Sequence, residues 1–204
     1  MMSSENNSIV AAKFNWLANV FYQVPTEVSL QLIAENIDQW PINSEASRGL
    51  IHQLKQSCQT EGIDTIKQDF HRLFIGPGKK LVYPWGSVYT DEEKLLFGRT
   101  TIAWEQFCRQ HQIDIKPDSN EPTDHFGLFF AAISAVFTSE LESMEKSALV
   151  QQMLDEHFSP WGHKVLADIN QLANTVFFKC FAQLALEELK PLAQVSVETP
   201  SVLH

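Results

Sequence analysis

Cysteine is scarce in this sequence, and long apolar runs are missing. The 204 residues include three cysteines, Cys58, Cys108 and Cys180, which lie far apart and form no C-x-x-C pair. This spacing argues against a disulfide framework and against a zinc site, and it predicts buried thiols. No stretch approaches the roughly 18 consecutive apolar residues of a membrane span, and residues 1–16 lack the features of a secretory signal. We therefore expect a soluble, cytoplasmic protein.

Basic residues are outnumbered by acidic ones. The chain has 15 lysines and arginines against 25 aspartates and glutamates, which gives a formal charge of -10. A negative field of this kind repels nucleic acid and attracts cationic partners, basic peptides among them. We expect no nucleic-acid partner.

The motifs of well-known enzymes are also missing. The sequence contains no G-x-x-x-x-G-K-[ST], G-x-G-x-x-G, H-E-x-x-H or G-x-S-x-G segment. His157 and His163 lie across a helix break without a nearby set of acids or cysteines at ligand spacing. We expect neither a metal site nor a cofactor.

Apolar residues recur at helical spacing along most of the chain. In the second of the helices so predicted, Val28, Leu32 and Ile33 are expected on the buried face. The fifth is expected to begin at a capping-box pattern, Thr90 to Glu93, and the tail from Pro191 is expected to be extended. The predicted helices cover about residues 9–22, 26–40, 44–58, 63–75, 90–110, 120–137, 141–157, a stretch opened by residues 159–160, and 175–189.

The sequence predicts an all-α fold. No convincing run of alternating apolar and polar residues is present, and the one candidate strand, LVYPWGSVY, is interrupted by Pro84. A break at residues 112–120 divides the chain into an N-terminal part, about 1–119, and a C-terminal part, about 120–204. We expect these two helical parts to associate closely in a single bundle-like domain, residues 1–204.

The segment NEPTDHFGLFF, residues 120–130, combines acids, a proline and a histidine with bulky apolar residues. Asn120 or Glu121 can cap a helix there, and Pro122 suits its first turn. Asp124 near the positive end of a helix is favourable for electrostatic reasons alone. His125 beside it leaves three interpretations open: a catalytic pair, a site for a cationic ligand, or a capping arrangement. The apolar stripe that follows is predicted to be core: Phe126, Phe129, Phe130, Ile133 and Phe137.

The preceding loop, GPGKKLVYPWGSVY, is rich in helix breakers and aromatic residues. An apolar loop of this length is uncommon unless it packs against the body of the protein or is functional. Trp85 and Tyr89 fit both interpretations, because aromatic rings can pin a loop or grip an apolar or cationic peptide side chain.

Three segments in this order, LFIGPG, YPWGSVYTDEEKLLFGRTT and NEPTDHFG, resemble the TorD/DmsD family of redox-enzyme maturation chaperones, most closely its DmsD branch. The similarity runs from about Phe70 to Phe130 and includes the E-P-x-D-H signature at residues 121–125. It implies an all-α fold of two helical parts and a non-enzymatic role. The partners it implies are the twin-arginine signal peptide and precursor of a molybdopterin-containing reductase of the dimethyl-sulfoxide or trimethylamine-oxide type, and also the twin-arginine translocase. Binding would hold the precursor in the cytoplasm until its cofactor is inserted.

The resemblance also implies a leader-binding site. A twin-arginine leader carries two guanidinium groups beside an apolar stretch, which a carboxylate and an aromatic groove would suit. Asp124 and His125 would bind the leader, and Glu121 and Pro122 would shape the turn. The groove would include Phe70, Leu73, Phe74, Trp85, Gly86 and Tyr89. Phe70 and Gly78 depart from the tryptophans of the DmsD branch.

Two alternatives stay open from the residues. Asp124 and His125 could form the acid–base pair of a small helical hydrolase, although no motif supplies the nucleophile or metal that such an enzyme needs. An oligomeric interaction scaffold would instead use the apolar loop as a subunit interface and leave Asp124 as a capping residue.

Overall fold

The computed structural model describes residues 4–42, 44–77 and 80–193. Within those ranges the chain folds into helices and forms no strand beyond one isolated β-bridge, so the predicted all-α fold is confirmed. A 3₁₀ turn (Ile37–Gln39) follows α2, and π-helical turns extend α4 (His71–Ile75) and α8 (Met153–Phe158). The α-helices are α1 (Ser4–Tyr22), α2 (Glu27–Asn36), α3 (Glu45–Thr60), α4 (Ile63–Phe70), α5 (Gly86–Thr90), α6 (Arg99–Gln110), α7 (Phe126–Thr138), α8 (Ser143–Gln152), α9 (Gly162–Leu172) and α10 (Val176–Leu192).

Local capping residues fix several helix starts where the sequence predicts them. Thr26 Oγ1 accepts from Ser29 N at 3.1 Å, and Ser29 Oγ accepts in return from Thr26 N at 2.8 Å, so α2 begins with a capping box. Thr175 caps α10 through the backbone N–H of Phe178. Because donor and acceptor lie three residues apart in both caps, the sequence alone can predict them.

The prediction of a helix beginning at Thr90 is wrong. Thr90 ends the short α5, and Asp91 Oδ1 accepts from Glu93 N at 2.9 Å and from Leu95 N at 3.3 Å. The carboxylate therefore closes a turn, a role that aspartate plays as readily as helix capping. Further along, Phe97 adopts left-handed backbone with a φ of 59°, and α6 begins only after it.

The buried face of α2 differs from the predicted one. Ile33 is buried as expected, but its companion is Leu30, while Val28 is 68% and Leu32 54% exposed. The apolar residues of this helix lie on more than one side, so spacing alone does not define which side packs against α3.

The extended tail was expected from Pro191, and this is wrong at its start. Pro191 lies inside α10, which continues to Leu192. The rest of that expected tail, residues 194–204, lies outside the described residues.

The core is built around α7, along which α1 packs, while α10 packs on α3 and α9. The ring centroids of Phe21 and Phe126 lie 4.9 Å apart across the α1–α7 contact. Gly127 permits this approach, because a Cβ atom there would lie 2.9 Å from Tyr22 Cβ. The five residues of the predicted core stripe on α7 are all buried, which confirms that prediction.

The expected boundary near residue 120 falls in a stretch without helix, residues 111–125. Helices from both sides of that boundary pack together, since α1 lies against α7. The division into two parts stays a prediction.

All three cysteines are free thiols. Cys108 and Cys180 are buried free thiols, as predicted, and Cys58 is half-buried. Burial raises the pKa of Cys58 and Cys180 to about 11 and that of Cys108 to about 12. Across the described part of the chain, no helix has both the length and the apolar character needed to cross a bilayer.

Candidate functional site

Two segments that are distant in sequence meet through the backbone. Trp85 and His125 form an isolated antiparallel β-bridge. Gly86 N donates to Asp124 O at 3.1 Å, and Phe126 N donates to the carbonyl oxygen of Pro84 at 2.9 Å. The aromatic loop and the signature segment therefore form one structural unit.

Asp124 lies inside this unit, with 2% of its surface exposed. Its Oδ2 accepts from Ser87 N at 2.5 Å, so the carboxylate caps the start of α5. The sequence predicts that this aspartate lies at the positive end of the helix that follows it, but its carboxylate meets the first turn of α5 instead. Burial raises the pKa of Asp124, and the hydrogen bond from Ser87 N partly opposes that shift.

His125 is the N-cap of α7, so the prediction that Asn120 or Glu121 caps this helix is wrong, as is the placement of Pro122 in its first turn. His125 Nδ1 accepts from Gly127 N at 3.0 Å, which places the proton of the neutral ring on Nε2. Burial, with a smaller contribution from the positive charge of Lys80, lowers the pKa of His125 to about 3.

Aromatic rings enclose the His125 imidazole. The centroid distances are 5.0 Å to Tyr22, 5.3 Å to Phe126 and 5.9 Å to Trp85. His125 therefore acts as a neutral, packed ring in this conformation.

Glu121 and Asp118 supply carboxylates near the surface of this unit; Glu121 is half-buried and Asp118 is exposed. The Tyr22 hydroxyl donates to Glu121 Oε1 at 2.9 Å and accepts from Asp118 N at 2.7 Å. Burial raises the pKa of Tyr22 to about 12, so the phenol stays protonated. Sequence reasoning missed Tyr22 and Asp118, and no local pattern marks a tyrosine 99 residues from its glutamate partner.

Trp85 and Tyr89 both pack against the body of the protein. Trp85 is 9% exposed, and Lys80 Nζ lies 5.4 Å from the centroid of its ring. Tyr89 stacks on Trp161 at 6.4 Å, and Trp161 also covers Gly86, where a Cβ atom would lie 2.5 Å from the indole. Sequence reasoning missed Trp161 as well, although its position in the helix-breaking segment SPWG is a usable signal.

The other residues of the predicted leader-binding site form a layer beneath the bridge. Phe70, Leu73 and Phe74 are 4%, 0% and 4% exposed, and Pro122 is also buried. Phe74 packs 6.0 Å from Phe126 between ring centroids, while Leu73 O accepts from Val82 N at 3.0 Å. In this conformation these side chains support the bridge from inside, and their contact with a leader stays a prediction.

The arrangement gives the hydrolase alternative no support. The Asp124 carboxylate is bonded to Ser87 N and the His125 imidazole to Gly127 N, so each acts as a backbone cap. In the described ranges, no group of three or more histidine, cysteine or acidic side chains could hold a metal ion.

Comparison with known proteins identifies the family. A family model described as nitrate reductase delta subunit matches residues 42–167. The chain belongs to the TorD/DmsD family. It is 30% identical over 181 residues to the probable Tat proofreading chaperone DmsD of Haemophilus influenzae, covering 85% of each chain. It is 33% identical over 147 residues to the Tat proofreading chaperone DmsD of Salmonella typhimurium, covering 72% of this chain and 68% of that protein.

A TorD chaperone and a solved structure match most of the chain at lower identity. The chaperone protein TorD of Psychrobacter sp. is 22% identical over 177 residues and 79% of each chain. The crystal structure of a proposed redox enzyme maturation protein from Archaeoglobus fulgidus superposes with a TM-score of 0.56 at 14% identity, covering 88% of this chain and 92% of that one. At that identity the structural likeness establishes a shared fold.

Proposed function

We propose that this chain is a cytoplasmic, non-enzymatic chaperone that binds the twin-arginine signal peptide of a molybdopterin-containing reductase precursor and assists its maturation before export. Its similarity to a probable Tat proofreading chaperone over 85% of the chain supports this role. The reductase precursor is the proposed client, and the twin-arginine translocase is a further proposed partner. A pull-down from a respiring host, analysed by mass spectrometry, would identify both.

The observation that carries the proposal is the backbone pairing between the signature segment and the aromatic loop. The bridge places Trp85 and Gly86 beside Asp124 and His125, as a single leader-binding unit requires. Glu121 lies at the surface of this unit and can meet a guanidinium group without rearrangement.

Asp124, unlike Glu121, is buried. Because its carboxylate is buried and Ser87 of α5 lies against Oδ2, a leader arginine can reach it only if the segments that cover it move. We retain Asp124 and His125 as proposed leader-binding residues on the condition that α5 moves when the peptide binds. The proposed site also includes Trp85, Gly86, Tyr89, Glu121 and Pro122, with Phe70, Leu73 and Phe74 beneath them.

A double-mutant cycle tests this proposal. Titration calorimetry would compare wild type and Asp124→Asn with a synthetic leader peptide and with the same peptide carrying glutamines for both arginines. A direct charge-assisted contact is worth about 1.5–3 kcal/mol, so Asp124→Asn should weaken the arginine peptide roughly ten- to a hundredfold and leave the glutamine peptide nearly unchanged. Asp64→Asn, an exposed acid in the first turn of α4, is the matched control.

Three outcomes separate the interpretations. Failure of the wild-type protein to bind the arginine peptide would contradict leader binding itself. Unchanged affinity together with a large loss of thermal stability in Asp124→Asn would make Asp124 a structural cap. A loss seen only in Glu121→Gln would place the arginines at the surface carboxylate.

A further inference from the structure

We infer that the groove between α1 and α2 holds the apolar stretch of the leader, with the leader arginines at the end of the groove near Gln23. This inference rests on the proposed function and specifies where its ligand lies. The groove has a volume of about 810 Å³, and its walls are α1, α2, the segments after them and Phe177 of α10. That volume lies within the range typical of ligand sites.

The groove is apolar inside. Trp16 and Val20 line it from α1, and Ile33 lines it from α2. Leu32 stands at its edge with 54% of its surface exposed, the feature that contradicted the predicted face of α2. An apolar surface of this kind gains free energy when a partner covers it.

Charged side chains are rare among the described residues that line the groove. Of the described residues that line it, Lys13 is the one that is charged, and its Nζ donates to both oxygens of Glu188 at 2.8 and 2.9 Å. Both side chains of that pair are buried. The lining also includes five carboxamide side chains: Asn15, Asn19, Gln23, Asn36 and Gln39. Carboxamides donate and accept hydrogen bonds without charge, so an uncharged peptide segment fits better than an ionic ligand.

One end of the groove is acidic. Gln23 Nε2 donates to Asp118 Oδ2 at 2.7 Å, and the neighbouring Tyr22 hydroxyl donates to Glu121 at 2.9 Å. α1 ends at Tyr22 without a basic residue in its last turn, so the negative end of its dipole adds to the field of these carboxylates. This charge pattern matches a peptide that is cationic at one end and apolar beyond it.

The length of the groove agrees with this orientation. From Tyr22 back to Ile9, α1 extends roughly 20 Å at the helical rise of about 1.5 Å per residue. An export signal has an apolar run of about 7–15 residues, which as a helix measures roughly 10–22 Å. With the arginines at the acidic end of the groove, the apolar run would follow α1 towards Ile9.

The test is titration calorimetry with a synthetic probe in which two consecutive arginines precede about 13 apolar residues. Leu32→Glu adds a charge at the groove edge on an already exposed side chain, and we expect binding to weaken about tenfold or more. Leu141→Glu, at a leucine that is 40% exposed in the turn before α8, is the matched control and should bind like the wild type.

A second probe with glutamines in place of the arginines tests the orientation. Leu32→Glu should weaken both probes by similar factors, whereas Asp118→Asn should weaken the arginine probe alone. Equal affinities of wild type and Leu32→Glu for the arginine probe would overturn the groove assignment and leave leader binding standing. A wild-type protein that elutes as a dimer in gel filtration and becomes a monomer in Leu32→Glu, with unchanged peptide affinity, would also overturn it and assign the groove to a second copy. A wild-type protein that binds neither probe would overturn the proposed function and this inference together.

Discussion

The buried imidazole of His125 should make the protein sensitive to mild acid. Burial lowers its pKa from the ordinary 6.5 to about 3 in the folded state. Below pH 6.5 the unfolded chain binds a proton that the folded chain does not, so the stability that the neutral ring contributes is full above pH 6.5 and is lost as the pH falls towards 3. Linkage gives a loss of about 3 kcal/mol between pH 7 and pH 4 from this one side chain.

His125→Asn isolates that contribution. Asparagine is a good N-cap whose Oδ1 can accept from Gly127 N, but it does not titrate. The variant loses the ring contacts to Tyr22 and Trp85 at every pH, so its stability should be lower at pH 7 and should fall less between pH 7 and pH 4. Urea unfolding followed by circular dichroism at intervals across this range measures the difference.

The matched control for this experiment is His52→Asn, at an exposed histidine of α3. It should follow the wild-type dependence on pH. If His125→Asn also lost as much stability as the wild type between pH 7 and pH 4, then His125 would not be held neutral, and the account of the site as a packed, uncharged cap would be wrong.

Two further substitutions test the packing. Gly86→Ala should cost about 1–3 kcal/mol in urea unfolding, because its Cβ atom would lie 2.5 Å from the Trp161 ring; Gly49→Ala, with no atom within 4 Å, is the control. Equal stability of Gly86→Ala and wild type would show that the Trp161 ring can shift without lowering the free energy of unfolding. Glu188→Gln removes the charge that neutralises buried Lys13 and should cost about 3–5 kcal/mol, with partial recovery on adding Lys13→Met. An unchanged unfolding midpoint would mean that Lys13 reaches water.

Features with a local cause were predictable from the sequence. The cap at Thr26 and the apolar stripe that begins at Phe126 depend on residues three or four positions apart, and the structure has both. The capping pattern at Thr90 failed because Asp91 can also close a turn, and the two outcomes share the same local signals.

The candidate site depends on contacts that local patterns do not record. Asp124 caps α5 through Ser87 N, which lies 37 residues earlier in the chain, so no helix-start rule connects the two. Family resemblance selected the residues that the bridge brings together, Trp85 and His125 among them, yet it gave no indication that they would be buried. Tyr22 packs on His125 and Trp161 covers Gly86 beside Trp85, and both rings come from positions distant in sequence.

The bridge between Trp85 and His125 also governs how the aromatic loop can move. Its two backbone hydrogen bonds and the bond from Ser87 N to Asp124 must break together if α5 leaves the body of the protein. At about 1 kcal/mol each, these three bonds make the detached conformation a minor one, of the order of one per cent or less. A leader that requires it must prefer the detached state by a comparable free energy, and the apparent affinity would be reduced by that small population. Loosening the bridge would then strengthen binding while it weakens the fold.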